Sequence, residues 1–321
     1  MRRVILIAAS LLAVFVSVPR AQAPAGTPPA AQTQAPSSGR QSQVFRTAVD
    51  IVSLNVTVVD GAQHYVTDLD QNDFSVFEDG VKQDITFFTR RQQNVAMSLL
   101  LDSSASMEDK LQTLQQAAVN FVRRMKPADL AQVIDFDSSV QIRQGFTSNQ
   151  PDLEHAILQT AAGGSTSLHN AIYISLKELK KIKADNEEDV RRQALIVFSD
   201  GEDTSSLVSF DEVLDLAKRN ETAIYTIALR GADTQTRGFR EAEFVMRQLA
   251  QETGGKAFFP NKVDDLNGVY ASIADELASQ YTLGYTSKNS KRDGAWRRIV
   301  VQVTKPNATP RTKKGYYAPT R

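Results

Sequence analysis

The chain has 321 residues, equal numbers of acidic and basic side chains, 41% apolar residues and no cysteine. That is enough apolar material for one substantial core and a smaller one beside it. Zero net charge excludes an electrostatic sheath for nucleic acid or an anionic membrane, since both need clustered Lys and Arg to displace counterions or meet phosphates; the lack of cysteine excludes disulfides.

The N-terminus reads as an export signal. Arg2 and Arg3 give a positive start, Val4 to Val18 an apolar run, and Pro19 breaks it ahead of Ala21-Gln22-Ala23, with cleavage expected after Ala23. At about 15 residues the run falls short of the roughly 20 that span a bilayer, so an uncleaved anchor is the weaker alternative. The periplasm or the cell exterior is the expected compartment, with no integral span left after cleavage. Residues 24–43, "PAGTPPAAQTQAPSSGRQSQ", hold almost no large apolar side chain and cannot offset their ordering entropy by burial, so they read as a linker.

"VDIVSLNVTVVD" and "DFSVFEDGVKQDITFF" then alternate apolar and polar residues around Asp60-Gly61 and Asp79-Gly80 turns, the pattern of antiparallel strands. "QYTLGYTS", "AWRRIVVQVT" and "KKGYYAP" near the C-terminus have the same character. Neither group alone buries both faces of a sheet. Segments 44–93 and 280–321 are therefore expected to pair into one small β-sandwich, with residues 94–279 inserted between them.

In that middle region the period changes. Short apolar runs ("VAMSLLLD", "LAQVIDFD", "QALIVFSD", "TAIYTIALR", "KAFF") alternate with amphipathic helical segments at residues 110–125, 152–162, 168–183, 210–219, 240–252 and 263–278. Strands apolar on both faces, alternating with helices, define a doubly wound α/β fold: a mostly parallel six-stranded sheet with helices on both faces. "VQIRQGF" follows the second run too closely for a crossover helix and should be the one antiparallel edge strand.

In such a sheet, ligands bind beyond the carboxyl ends of the strands. "LLLDSSAS" puts Asp102, Ser104 and Ser106 at that position; "GGSTSLHN" offers Thr166 after a Gly163-Gly164 pair, and "FSDG" ends another strand on Asp200. Two carboxylates among neutral hydroxyls are hard oxygen donors that suit Mg²⁺. Each residue alone also fits a helix cap or turn.

This combination resembles the metal-ion-dependent adhesion site of von Willebrand factor type A domains, over roughly residues 94–278. The flanks "DLDQNDFSVFEDG" and "RRIVVQVT...KKGYYAP" look like those of a von Willebrand factor A-related acidobacterial domain family of exported proteins. The resemblance implies that Ser104, Ser106 and Thr166 contact the ion through hydroxyls, while Asp102 and Asp200 act mostly through bound water. The cation is then Mg²⁺, with Mn²⁺ or Ca²⁺ as alternates, and the open coordination position takes the Asp or Glu carboxylate of a protein partner. A binding or adhesion module rather than an enzyme is expected. A metal-dependent hydrolase at the same site, or a structural or assembly component of an envelope complex, is the alternative.

Other candidates weigh less. Glu108 and Asp109 read as first-turn acids favoured by a helix dipole; in integrin β subunits an acid at Asp109's offset belongs to a second cation site, but that motif continues with another acid where this chain has Lys110. "DLDQND", Asp68 to Asp73, lacks the EF-hand Gly and terminal Glu and reads as a solvated strand connection. Of His64, His155 and His169, only His169 lies close in sequence to a site residue, and no serine sits in a G-x-S-x-G elbow. The last helix leads directly into "YTLGY", so its displacement would couple the metal site to the sandwich, as the resemblance to integrin-type domains implies.

Overall fold

A computed structural model describes residues 50–182, 191–199, 202–228 and 237–320. The expected signal and linker lie outside the described residues, as does Asp200. Among the described residues no helix is long and apolar enough to cross a membrane.

The N-terminal strands are β1 (Ile51–Val59), β2 (Phe74–Glu78), β3 (Val81–Gln83) and β4 (Ile85–Thr89). The central region follows as β5 (Val95–Asp102), α1 (Leu111–Val122), β6 (Leu130–Phe136), β7 (Val140–Thr147), α2 (Gln150–Leu158), α3 (Leu168–Leu179), β8 (Arg192–Ser199), α4 (Phe210–Asn220), β9 (Ala223–Ala228), α5 (Arg237–Thr253), β10 (Ala257–Phe258) and α6 (Leu266–Ser279). The chain ends with β11 (Tyr281–Thr286), β12 (Trp296–Val303), β13 (Thr309–Arg311) and β14 (Gly315–Tyr317).

The central sheet has the order β10-β9-β8-β5-β6-β7, parallel except for β7, which pairs antiparallel with β6 at the edge as its short connection requires. Every residue of β5 is buried. One face packs on α1, α2 and α6 through Leu99, Leu101, Leu114, Phe121 and Tyr270. The other packs on α3, α4 and α5 through Leu100, Ile172, Val213 and Leu249. The continuous apolar run is explained by that double covering.

The flanking strands form two four-stranded sheets, β13-β1-β11-β4 and β14-β12-β2-β3, each mixing strands from both ends of the chain. Their facing sides share a core of Leu54, Val56, Phe74, Val76, Tyr281, Leu283, Tyr285 and Ile299, which is the expected sandwich. Asp79 and Gly80 both take positive φ, 48° and 84°, in the two-residue turn joining β2 to β3, the conformation that matches strand twist in tight hairpins.

Residues 48–321 form one compact unit, and its two layers are joined by buried polar groups. Glu276 of α6, fully buried, accepts a 2.8 Å hydrogen bond from the Tyr225 hydroxyl of β9 and is ion-paired with Arg311 of β13. Arg192, at the start of β8, donates to the carbonyls of Leu277 and Gln280 at 3.2 and 3.1 Å, and to the Thr282 hydroxyl of β11 at 2.9 Å. Burial pushes its guanidinium down to about 10, against a smaller raising influence from Tyr225.

Candidate metal centre

The carboxyl ends of β5, β6 and β8 meet at one edge of the central sheet, with Asp102 opposite Phe136 and Leu101 opposite Phe198. Asp102 has no exposed surface. Its Oδ1 accepts the Ser104 N–H at 2.9 Å, and its Oδ2 accepts the Ser199 hydroxyl at 2.5 Å. The carboxylate is thus oriented by the turn it precedes and by the neighbouring strand. Ser103 N–H bonds the Phe136 carbonyl at 2.9 Å, carrying the sheet one residue further before the chain turns out.

The turn is a single 3-10 turn over Ala105–Met107, and fully buried Met107 pins it to the core. Ser104 stands at its N-cap, yet the hydroxyl makes no capping bond; it lies 3.1 Å from the Ser106 hydroxyl. Adjacent ligands of an octahedral ion with bonds of 2.0–2.1 Å are about 3 Å apart, so the two oxygens have the spacing of one octahedral edge. Ser104 is buried and Ser106 exposed, which opens the pair to solvent on one side.

Two backbone hydrogen bonds fasten the loop that carries Thr166 to this turn: Gly163 N–H to the Ser103 carbonyl at 2.8 Å, and Ala105 N–H to the Gly164 carbonyl at 3.1 Å. Gly164 has φ +75°, and a Cβ there would lie 2.5 Å from the Ser138 hydroxyl. Both conformation and space therefore demand glycine. Thr166 is buried, its N–H donating to the Thr204 hydroxyl at 2.9 Å and its carbonyl accepting from Thr204 and Ser205 N–H at 2.9 and 3.0 Å. Ser167, at the N-cap of α3, spends its hydroxyl on the Asp137 carbonyl at 2.7 Å rather than on the helix. The hydroxyls here are not working as caps.

The structure brings Asp102, Ser104 and Ser106 together and ties the Thr166 loop to them. Asp200 lies outside the described residues, directly after Ser199. The residues that brace the site were not singled out in the sequence: Ser199, Thr204, Asp203 and Asn170. For Ser199, Asp203 and Thr204 the signal was the hydroxyl-rich run "FSDGEDTSS", whose partners lie 34 to 97 residues away in the chain; Asn170, which accepts the Leu207 and Val208 N–H groups at 3.1 and 3.2 Å, stood in "GGSTSLHN".

Glu108 and Asp109 require a correction. They are exposed and precede α1, whose N-cap is Lys110 and whose first turn holds no acid. The 3-10 turn takes up the residues that a longer helix would have used. Asp68 is paired with Lys305 at 3.0 Å, and Asp73 accepts from the Thr304 hydroxyl at 2.8 Å, so "DLDQND" serves a strand connection. His64 sits on an exposed turn beside Asp60, and His155 lies 2.8 Å from Gln159 on α2. His169 Nδ1 is 3.4 Å from Asp203. Among the described residues no group of three or more His, Cys, Asp or Glu converges on a metal-sized site.

A family model described as the von Willebrand factor type A domain matches residues 97–272, more than half of the chain, and the chain belongs to this family. Members of the family act in adhesion and protein interaction. Inter-alpha-trypsin inhibitor heavy chain H1 of Sus scrofa is 24% identical over 209 residues, 61% of this chain but only 22% of that protein. Among solved structures, a von Willebrand factor type A protein from Catenulispora acidiphila is similar with a TM-score of 0.49 at 9% identity, covering 86% of this chain and 76% of that one. Proximal thread matrix protein 1 of the mussel byssus, with a zinc-occupied metal-ion-dependent adhesion site, is similar with a TM-score of 0.48 at 14% identity, over 59% of this chain and 48% of that one. The corresponding domain of the type V pili tip protein of Porphyromonas gingivalis has a TM-score of 0.48 at 12% identity, over 58% of this chain and 95% of that one.

Proposed function

We propose that this protein is an exported binding module in which a divalent cation of the Mg²⁺ type captures an acidic residue of a protein partner. Ser104, Ser106 and Thr166 hold the ion through their hydroxyls, and Asp102 and Asp200 hold it through water. The observation that carries the reading is the 3.1 Å spacing of the Ser104 and Ser106 hydroxyls beside a carboxylate whose two oxygens are both oriented by hydrogen bonds.

Each residue has a distinct task. Asp102, buried and oriented by Ser199, supplies negative charge beneath the site without having to swing into it. Ser104 and Ser106 present neutral oxygens from a turn fixed by Met107, so little order must be created on binding. Thr166 is brought up by the Gly163-Gly164 loop. When bound, the cation supplies a Lewis-acidic position that neutral hydroxyls leave electron-poor and therefore receptive to an external carboxylate.

The N-terminal signal and linker, residues 1–43, are proposed to export and space the module. Segments 44–93 and 280–321 are proposed to act as one sandwich domain carrying the inserted region 94–279. The test is a pull-down from the native envelope with the full chain, with and without EDTA, and with Asp102→Ala. A partner retained in Mg²⁺ and lost in both other arms supports the reading; a partner retained equally by the chelated protein overturns it.

A further inference from the structure

One residue, 38 positions further along the chain, holds the Thr166 backbone on both sides. The Thr166 N–H donates to the Thr204 hydroxyl at 2.9 Å, and the Thr166 carbonyl accepts the Thr204 N–H at 2.9 Å, with the Ser205 N–H beside it at 3.0 Å. Thr166 is buried, and an N–H left unpaired there would be costly. Thr204 itself is exposed, so its side chain is committed to Thr166 without being needed to fill a core.

This grip rests on a wider set of bonds. The first N–H groups of a helix have no partners within it. Ser167, the N-cap of α3, does not supply one, because its hydroxyl is spent on the Asp137 carbonyl. The loop after β8 supplies them instead. Asp203 Oδ1 accepts the His169 N–H at 3.3 Å, and the Ser206 hydroxyl accepts the Asn170 N–H at 3.0 Å. Ser206 donates in turn to Asp203 at 2.6 Å, while Asn170 Oδ1 accepts the Leu207 and Val208 N–H groups at 3.1 and 3.2 Å. Helix α3 is therefore capped from another part of the chain. Residues 203–208 and 166–170 form one hydrogen-bonded body, in which Thr204 takes both polar groups of the Thr166 backbone.

We infer that Thr204 is a positioning residue for the cation: its hydroxyl fixes the Thr166 backbone so that the Thr166 hydroxyl is in place before an ion arrives. The inference rests on the proposed role of Thr166 as a ligand and adds a residue that orients a ligand without being one. A donor placed in advance loses little further freedom on binding. A Thr166 free to turn would have to be ordered by the ion, at the expense of affinity. Removing an orienting partner of this kind lowers metal affinity roughly 10- to 100-fold.

The test uses the full chain with Thr204→Val, which keeps the shape and loses the hydroxyl, and Thr204→Ser, which keeps the hydroxyl. Circular dichroism and the denaturation midpoint verify the fold of each. Mn²⁺ binding is titrated by electron paramagnetic resonance, and exchange of the Thr166 N–H with solvent is followed by nuclear magnetic resonance in EDTA. In wild type and Thr204→Ser the Thr166 N–H should be protected with no ion present, and Mn²⁺ affinity should be alike. Thr204→Val should lose that protection and bind Mn²⁺ roughly 10- to 100-fold more weakly. Undiminished Mn²⁺ affinity in folded Thr204→Val overturns the inference, as does a Thr204→Ser no better than Thr204→Val. A wild-type Thr166 N–H that exchanges freely until Mg²⁺ is added overturns it without recourse to any variant. If wild type binds no Mn²⁺, the cation site itself is overturned, whatever the amide exchange shows, and the inference falls with it.

Discussion

The hydroxyl of Ser199, last residue of β8, donates a 2.5 Å hydrogen bond to Oδ2 of Asp102, last residue of the adjacent parallel strand β5. Both are fully buried. The bond fixes the carboxylate beneath the Ser104 and Ser106 hydroxyls and ties the strand leading to Asp200 to the strand leading to the turn.

Ser199→Ala is therefore expected to weaken divalent-ion binding without contributing a ligand of its own. Residues that orient ligands cost roughly 10- to 100-fold in metal affinity when removed. Losing the buried bond should also cost about 1–3 kcal/mol of stability. Calorimetric Mg²⁺ or Mn²⁺ titration together with denaturant unfolding checks both; unchanged affinity in a destabilised variant would assign Ser199 a purely structural role.

The Glu276–Arg311 pair links α6 to β13, with Tyr225 and Thr57 on the same carboxylate oxygen. Arg311→Ala leaves the Glu276 charge buried without its counter-ion and should lower stability by about 3 kcal/mol. Adding Glu276→Gln should recover part of that loss, because no buried charge then lacks a partner. Thermal unfolding of the two variants shows whether the sandwich and the central sheet melt together.

Tyr225, Tyr270 and Tyr285 have phenols raised above the usual value near 10, in each case first by burial, with Glu276 adding to the shift at Tyr225 and Glu78 at Tyr285. The folded state thus holds these phenols neutral where the unfolded chain ionises them. Their contribution to stability is full below pH about 10 and is lost as pH rises further. Tyrosinate absorbance should accordingly show a late fraction appearing only together with loss of tertiary circular dichroism. Early, independent titration of all tyrosines would contradict the burial.

The doubly wound sheet was legible because period and length agree: β5 and β8 carry the apolar runs Leu99–Leu101 and Ala194–Phe198, and the helices between strands keep their spacing. Strand β13 was not, since Pro310 within "TPR" argues against a strand; it is tolerated because β13 lies at the edge of its sheet, beside β1. The acids Glu108 and Asp109 suggest a helix that has already begun, whereas a 3-10 turn precedes them and α1 begins at Leu111. Asp102, Ser104 and Ser106 stand out in the sequence because they lie at or just beyond a strand end, and Thr166 because it follows the Gly163-Gly164 pair in the loop before α3. Ser199, Thr204 and Asn170 do not, because their roles depend on partners that only the folded chain brings near. The same holds for Glu276, whose contacts lie 51 and 219 residues away.

The central claim is that the edge formed by β5, β6 and β8 holds a divalent cation through Ser104, Ser106, Thr166, Asp102 and Asp200. Its most direct test is a Mn²⁺ titration of the full chain followed by electron paramagnetic resonance, with Asp102→Ala and Ser104→Ala beside wild type and folding verified by circular dichroism. Stoichiometric, Mg²⁺-competable binding by wild type that is lost in both folded variants is the predicted result. Equal Mn²⁺ binding by all three proteins, or none by wild type, would contradict the account.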